Sequence, residues 1–307
     1  MKSFSEEISL GLSKRNKKIG SKWFYDFHGS KLFEKITKLK EYYPTRTERK
    51  ILKENKIEIA KKIGKEAVII EPGAGDTKKI AIFLNSLDKP KKYIPLDISE
   101  DYITKISQSF KKKFPKIAIT PKGYDFSSNN KPPFKIKSSE NIIIFFPGST
   151  IGNFETNEAV KFLKVLKSKF KAKKVIIGAD LVKDIPTLIS AYNDKKGVTA
   201  KFNKNILQRI NTELDGDINL NSYKHLVIYN KSKKRIEMRL MSKKNNKIKI
   251  NGSKYLIKKN EEIHTENSHK YTIKSFKKLA NEAGWKIEKT WVDDKKLFSV
   301  HCLNLAL

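Results

Sequence analysis

The sequence predicts an α/β protein, a parallel-sheet nucleotide-binding core interrupted by an insertion that joins the N-terminal helices as a smaller α+β domain. Three observations carry this expectation. From Ala67 onward short apolar runs alternate with turns and helical periods, the signature of a parallel sheet covered on both faces. The first run leads straight into a Gly-x-Gly turn. Between roughly Lys183 and Tyr271 the alternation breaks down, and a helix and two strands then complete the chain.

Taken in order, the first sixty residues read as helices and connectors, with no obvious strand. Amphipathic stretches cover Lys31 to Leu39 and Thr47 to Ile63, and Pro44 marks a turn between them. The apolar runs Ala67–Ile70, Tyr93–Leu96, Ile117–Ile119, Asn141–Phe146 and Lys174–Ile177 are the expected parallel strands. The insertion is helical up to Leu214, then gives alternating, Lys-rich strands around Leu226–Tyr229, Arg235–Met241 and Lys247–Ile250. A helix from Thr272 to Ala283 ends at Gly284, and strands Trp285–Val292 and Phe298–Leu305 close the sheet as an antiparallel hairpin. The expected domains are therefore 61–182 with 272–307, and 1–60 with 183–271.

The chain has 307 residues, 38% hydrophobic and 10% aromatic, enough for a real core and too apolar for disorder. No stretch approaches the ~20 apolar residues of a membrane-spanning helix. Met1 to Leu10 is acidic and lacks the pattern of a secretory signal, so a cytoplasmic location is expected. Cys302 is the single cysteine, best read as a small buried hydrophobe, and no Cys/His cluster has zinc-ligand spacing. With no exposed heptad or long apolar edge, a monomer is expected. A formal charge of +33 brings nucleic acid into consideration. Against it, the basic residues are overwhelmingly Lys and spread along the whole chain, whereas base and phosphate contacts favour Arg clusters.

The segment Ala67-Val68-Ile69-Ile70-Glu71-Pro72-Gly73-Ala74-Gly75-Asp76-Thr77 runs from strand into turn, its glycines letting backbone pass close to a ligand. The third glycine of a dinucleotide fingerprint is missing, which suits S-adenosylmethionine, a cofactor with no phosphate to cradle. About twenty residues on, the second strand ends in Asp97, able to accept hydrogen bonds from both ribose hydroxyls. The third strand region ends in Tyr124-Asp125-Phe126, with the Asp suited to an exocyclic adenine amine and the Phe to the ring face. Alone, a Gly-x-Gly turn also serves plain strand-to-helix connections. Followed by Asp97 and Asp125-Phe126 in strand order, it resembles the Rossmann-like core of class I S-adenosylmethionine-dependent methyltransferases, whose seventh strand is antiparallel.

Several further clusters are not required by such a core. They are Trp23-Phe24-Tyr25-Asp26, Glu41-Tyr42-Tyr43-Pro44-Thr45-Arg46, Phe146-Pro147-Gly148-Ser149-Thr150-Ile151-Gly152-Asn153-Phe154, Gly178-Ala179-Asp180-Leu181-Val182-Lys183-Asp184, Ala191-Tyr192-Asn193-Asp194, Ile236-Glu237-Met238-Arg239-Leu240, and Ile263-His264-Thr265-Glu266-Asn267-Ser268-His269-Lys270-Tyr271. In this order, from about Trp23 to Leu303, they resemble the histidine-specific Nα-methyltransferases of ergothioneine biosynthesis. The resemblance implies three methyl transfers from S-adenosylmethionine to the amine of L-histidine, giving hercynine. It also implies site roles: Gly73, Lys79, Asp97, Asp125 and Phe126 hold the cofactor, and Asn153 and Tyr192 bind the substrate carboxylate. Tyr25 and Tyr42 line the amine side and are the candidate catalytic residues. Glu266 and Ser268 hydrogen-bond the imidazole nitrogens, with Met238 packed near that ring. The chain departs from many relatives in Glu71-Pro72 of the first loop and in Pro147 before Gly-Ser-Thr.

The residue types suit this chemistry on their own terms. Methyl transfer is an in-line displacement whose main demand is an aligned, neutral amine, so neither metal nor nucleophilic triad is needed. Aromatic walls attract a quaternary ammonium by ~0.5–2 kcal/mol without adding charge. A carboxylate and a hydroxyl satisfy both imidazole nitrogens, while a wrong side chain leaving them unpaired costs ~1–3 kcal/mol. From spacing alone, Glu266 reads as a solvated strand-end or helix-cap carboxylate, and Tyr25 and Tyr42 equally as core. His264 and His269 receive no role, and Arg46 and Arg239 serve as well in structural ion pairs. The alternatives are a same-fold enzyme acting on another amino acid such as a tryptophan derivative, an RNA methyltransferase, and a silent cofactor-binding relative. An indole offers one donor and no acceptor, a poor match to Glu266 and Ser268.

Overall fold

The computed structural model describes residues 3–75, 78–126 and 130–306, so Asp76 and Thr77 of the glycine turn lie outside the described residues. The chain forms two compact units, Pro44–Val182 with His269–Leu307, and Met1–Tyr43 with Lys183–Ser268.

The first unit is built on strands β1 (Ala67–Pro72), β2 (Lys92–Asp97), β3 (Ala118–Ile119), β4 (Lys122–Gly123), β5 (Asn141–Phe146), β6 (Lys174–Asp180), β7 (Trp285–Val292) and β8 (Phe298–Leu305). Their order is β7-β8-β6-β5-β1-β2-β3, with β4 also paired to β2. The pairs β1–β2, β1–β5 and β5–β6 are parallel, and β8 is antiparallel to both β6 and β7. The closing hairpin thus inserts β8 between β7 and the parallel strands, the expected antiparallel element of a class I methyltransferase sheet.

Successive residues of one strand feed opposite layers, because side chains alternate across a sheet. Val68 and Ile70 of β1, Ile144 and Phe146 of β5 and Ile177 of β6 pack in one cluster with Phe162, Phe276 and Trp285. Ala67, Ile69, Ile143, Phe145 and Ile176 pack in the other with Ile51, Leu52, Phe83 and Phe110. This double burial is why these strands read as continuous apolar runs rather than alternating ones.

Among the described residues this unit has the α-helices α1 (Tyr43–Glu54), α2 (Lys56–Ile63), α3 (Ala81–Leu84), α4 (Glu100–Lys113), α5 (Thr156–Ser168) and α6 (Ile273–Glu282). Two sequence expectations change here. Pro44 is not a turn between helices but sits in the first turn of α1, where a missing N–H is harmless. Residues 44–60, expected with the smaller domain, belong to the core unit, because Ile51, Leu52, Ile59 and Ala60 are buried in its second apolar layer. The helix α6 begins at Ile273, one residue after the expected start, with Thr272 as its N-cap in a reciprocal cap with Ser275.

The second unit contains a sheet ordered Lys17–Lys18, Glu262–His269, Arg235–Ser242, Tyr223–Asn230, and a hairpin of Asn246–Ile250 with Ser253–Ile257. Three of its strands escape the sequence analysis, Ser253–Ile257, Lys17–Lys18 and Glu262–His269. Lys17–Lys18 is only two residues long, and Glu262–His269 carries too many polar side chains to show an apolar period. Helix Phe27–Ile36, capped by Asp26, packs against helix Val198–Glu213. Gly29 is required there: a β-carbon would lie 1.8 Å from the Phe24 carbonyl oxygen. Among the described residues, no helix is long and apolar enough to cross a membrane, and no group of His, Cys, Asp and Glu is arranged to hold a metal ion. Cys302 is buried and free, as expected.

Candidate active site

In the core unit, strand order reverses at β1, and the loops following β1 and β5 flank the crevice where open α/β sheets bind ligands. Gly73 follows β1 with φ of +70°, and a β-carbon there would sit 3.3 Å from the Phe126 ring. The glycine turn and the aromatic ring therefore adjoin, leaving backbone and ring face without a side chain between them.

Asp97 ends β2 and is 9% exposed. Burial pushes its carboxyl up to about 6 even though backbone N–H groups, including that of Ser99 at 2.9 Å, favour the charged form. A buried carboxylate with unfilled acceptor capacity suits a pair of ribose hydroxyls. The pairing of Asp97 with Gly123 carries the chain directly into Asp125 and Phe126, both half-buried. The glycine turn, acidic strand end and ring thus fit an adenosyl group. Lys79 reaches the same unit's Glu48, Nζ to Oε2 2.7 Å.

After β5, Gly148 (φ +82°) and Ser149 (φ +57°) both adopt left-handed backbone, and the 3₁₀ turn Thr150–Asn153 leaves Asn153 half-buried at its end. Ser149 Oγ accepts the Asp180 N–H at 2.9 Å, and a β-carbon on Gly152 would meet the His269 backbone at 2.9 Å.

In the second unit, the aromatic candidates cluster. Tyr25 contacts Phe33 and Phe202 edge-on, with both ring centroids 5.6 Å away. Phe33 contacts Tyr42, which in turn contacts Tyr192 at 6.2 Å. The Tyr192 hydroxyl lies 2.7 Å from Ser268 Oγ, in a buried setting. On strand Glu262–His269, alternation puts half-buried Glu266 on the same strand face as Ser268. Met238 is buried in the neighbouring strand, its carbonyl accepting the Thr265 hydroxyl. Arg239 is an ion-pair residue, bound to Glu237 and Glu262.

Two residues that the sequence analysis does not single out, Asn203 and His225, stand behind this cluster. Asn203 accepts from Thr265 through its carbonyl and donates its amide hydrogens to His225 Nδ1 and the Arg239 carbonyl. Because Nδ1 of His225 accepts, its Nε2–H donates to the Tyr192 carbonyl at 3.0 Å. Burial lowers the His225 pKa, keeping that tautomer neutral. The partners lie 22 to 62 residues apart in the chain, so no local pattern reveals this network.

A family model of histidine-specific, SAM-dependent methyltransferases matches residues 4–305. The chain belongs to that family. Its cofactor is accordingly S-adenosylmethionine, in agreement with the site at the ends of β1 and β2. A histidine N-alpha-methyltransferase of Mycolicibacterium smegmatis is 32% identical, covering 94% of this chain and 90% of that protein. Ergothioneine biosynthesis protein 1 of Neurospora crassa is 36% identical over 61% of this chain and 22% of its own length. Among solved structures, a possible exported protein from Bordetella parapertussis matches with a TM-score of 0.51 at 8% identity, over 91% of this chain and 79% of that one. That likeness is one of fold alone.

Proposed function

We propose that this chain methylates the α-amino group of L-histidine three times, forming hercynine, the betaine that leads to ergothioneine. The observation that carries this reading is the pairing of Tyr192 with Ser268 beside half-buried Glu266, a polar corner within an aromatic cluster, in a chain of the histidine-specific family. S-adenosylmethionine, when bound, supplies an electrophilic methyl carbon. In this proposal Gly73, Lys79, Asp97, Asp125 and Phe126 hold that cofactor, while Asn153 and Tyr192 bind the substrate carboxylate.

Glu266 and Ser268 hold the two imidazole nitrogens, and Met238, whose carbonyl ties its strand to Thr265, packs near that ring. Tyr25 and Tyr42 bound the amine, leaving room for it to lose a proton and rotate between transfers. Their rings favour the growing positive centre over water by ~0.5–2 kcal/mol. The enzyme acts as a cytoplasmic monomer on a free amino acid and not on nucleic acid. The test is mass spectrometry of L-histidine, tryptophan, other amino acids and RNA, each incubated with purified protein and S-adenosylmethionine. Stepwise gain of three methyl groups by histidine alone is expected; an unmodified histidine with another compound methylated overturns the substrate.

A further inference from the structure

The core unit contains a buried carboxylate that the proposed reaction does not use. Glu48 lies on α1, is 1% exposed, and directs both carboxylate oxygens at the Gly148 N–H, each at 2.9 Å. The same carboxylate holds Lys79 Nζ at 2.7 Å. Two glycines make room for this arrangement. A β-carbon on Gly178 of β6 would sit 2.1 Å from Glu48 Oε1, and one on Gly148 would sit 3.3 Å from Lys79 Nζ.

We propose that Glu48 is a positioning residue that ties Lys79 to the Pro147–Asn153 loop, setting the cofactor and substrate-carboxylate contacts of the core unit together. This rests on the reading above that Lys79 serves the cofactor and Asn153 the substrate. A desolvated carboxylate is tolerated only when its acceptor sites are filled, and here an N–H and an ammonium fill them. The ammonium, in turn, is held by the carboxylate at 13% side-chain exposure. The loop has other anchors, Ser149 on the Asp180 N–H and Gly152 against His269, and among the described residues Glu48 is the one whose side chain bonds both the loop and Lys79. Removing the negative charge weakens the acceptor for the Gly148 N–H and leaves the largely buried Lys79 ammonium without a counter-charge. A purely structural role would lower stability without changing ligand affinity in a coupled way.

The test compares Glu48→Gln, Lys79→Met and the double variant with the wild-type chain. Calorimetric titration with S-adenosylhomocysteine reads cofactor affinity without turnover, and hydrogen exchange of the unliganded protein reads the amides of residues 147–153. Each single variant should weaken binding on the order of tenfold, the scale of one charge-assisted hydrogen bond. The double variant should bind no worse than the weaker single variant, because both substitutions break one link. Exchange at the loop should quicken in Glu48→Gln. Gly178→Ala, which keeps Glu48 but crowds its carboxylate, should reproduce the loop effect if Glu48→Gln folds poorly. Multiplicative losses in the double variant, or unchanged loop exchange in both Glu48→Gln and Gly178→Ala, overturn the proposal. Wild-type protein that binds no S-adenosylhomocysteine would overturn the functional reading instead, while the exchange experiment still decides whether Glu48 holds the loop.

Discussion

The phenolic oxygen of Tyr192 lies 2.7 Å from the hydroxyl oxygen of Ser268, linking the end of helix Ile185–Tyr192 to strand Glu262–His269. Tyr192 is held in turn by His225 through its carbonyl. Removing the phenol leaves a buried hydroxyl with one partner fewer, at a cost of ~1–3 kcal/mol. Tyr192→Phe and Ser268→Ala should each raise the histidine KM about tenfold or more, with a smaller change in kcat and little in cofactor affinity. The double variant should be less than additive. Steady-state kinetics checks this, and purely additive effects would separate the two residues.

Asp97 makes cofactor affinity pH-dependent. Burial raises its carboxyl to about 6, while hydroxyl donors from a ribose favour the ionised form. Binding must therefore expel the proton below about pH 6, and affinity should fall by up to about tenfold per pH unit there. Above that pH it should be flat. Titration with S-adenosylhomocysteine between pH 5 and 8 should show this break, whereas Asp97→Asn should bind more weakly and without it.

Acid should destabilise the fold through buried imidazoles. Burial lowers His301 to about 3 and His264 to about 4, so each resists protonation in the folded chain but not in the unfolded one. Stability is unaffected above the ordinary value near 6.5 and is lost as pH falls from there toward the folded values. Asp97 acts in the opposite sense, since its raised pKa adds stability as pH falls below about 6, but two imidazoles outweigh one carboxyl. Thermal melts should fall between pH 6.5 and 5, less steeply in His301→Asn. His301 packs face to face with Phe276 and touches no proposed ligand contact.

Glu266 should govern which side chain is accepted. Glu266→Ala should cut kcat/KM for histidine by about tenfold or more while leaving S-adenosylhomocysteine affinity near wild type. Equal loss of both affinities would place Glu266 outside the imidazole site.

Much of the core was legible from residue order. Fully apolar runs such as Asn141–Phe146 announce strands buried on both faces, and the observed β5 has those same bounds. The positions of Asp97 at the end of β2 and of Phe126 shortly after β4 were readable, because the apolar run and the turn that follows it mark a strand end. The strand carrying Glu266 and Ser268 was not, since one face of it is polar and its apolar residues are few. Pro44 misled because a proline in a helix's first turn and one in a loop share the same local signal. Glu48, His225 and Asn203 escaped for a different reason: a charged or polar residue within a helix or strand reads as a solvated face until its long-range partners are known.

The most direct test of the account is proton NMR of the product formed from L-histidine and S-adenosylmethionine. Attack by the α-amine predicts a single resonance from three equivalent methyl groups on nitrogen, with both imidazole carbon-bound protons retained and their symmetry of coupling unchanged. Methyl resonances assigned to a ring nitrogen, or a product that stops at one methyl group under saturating cofactor, would contradict it.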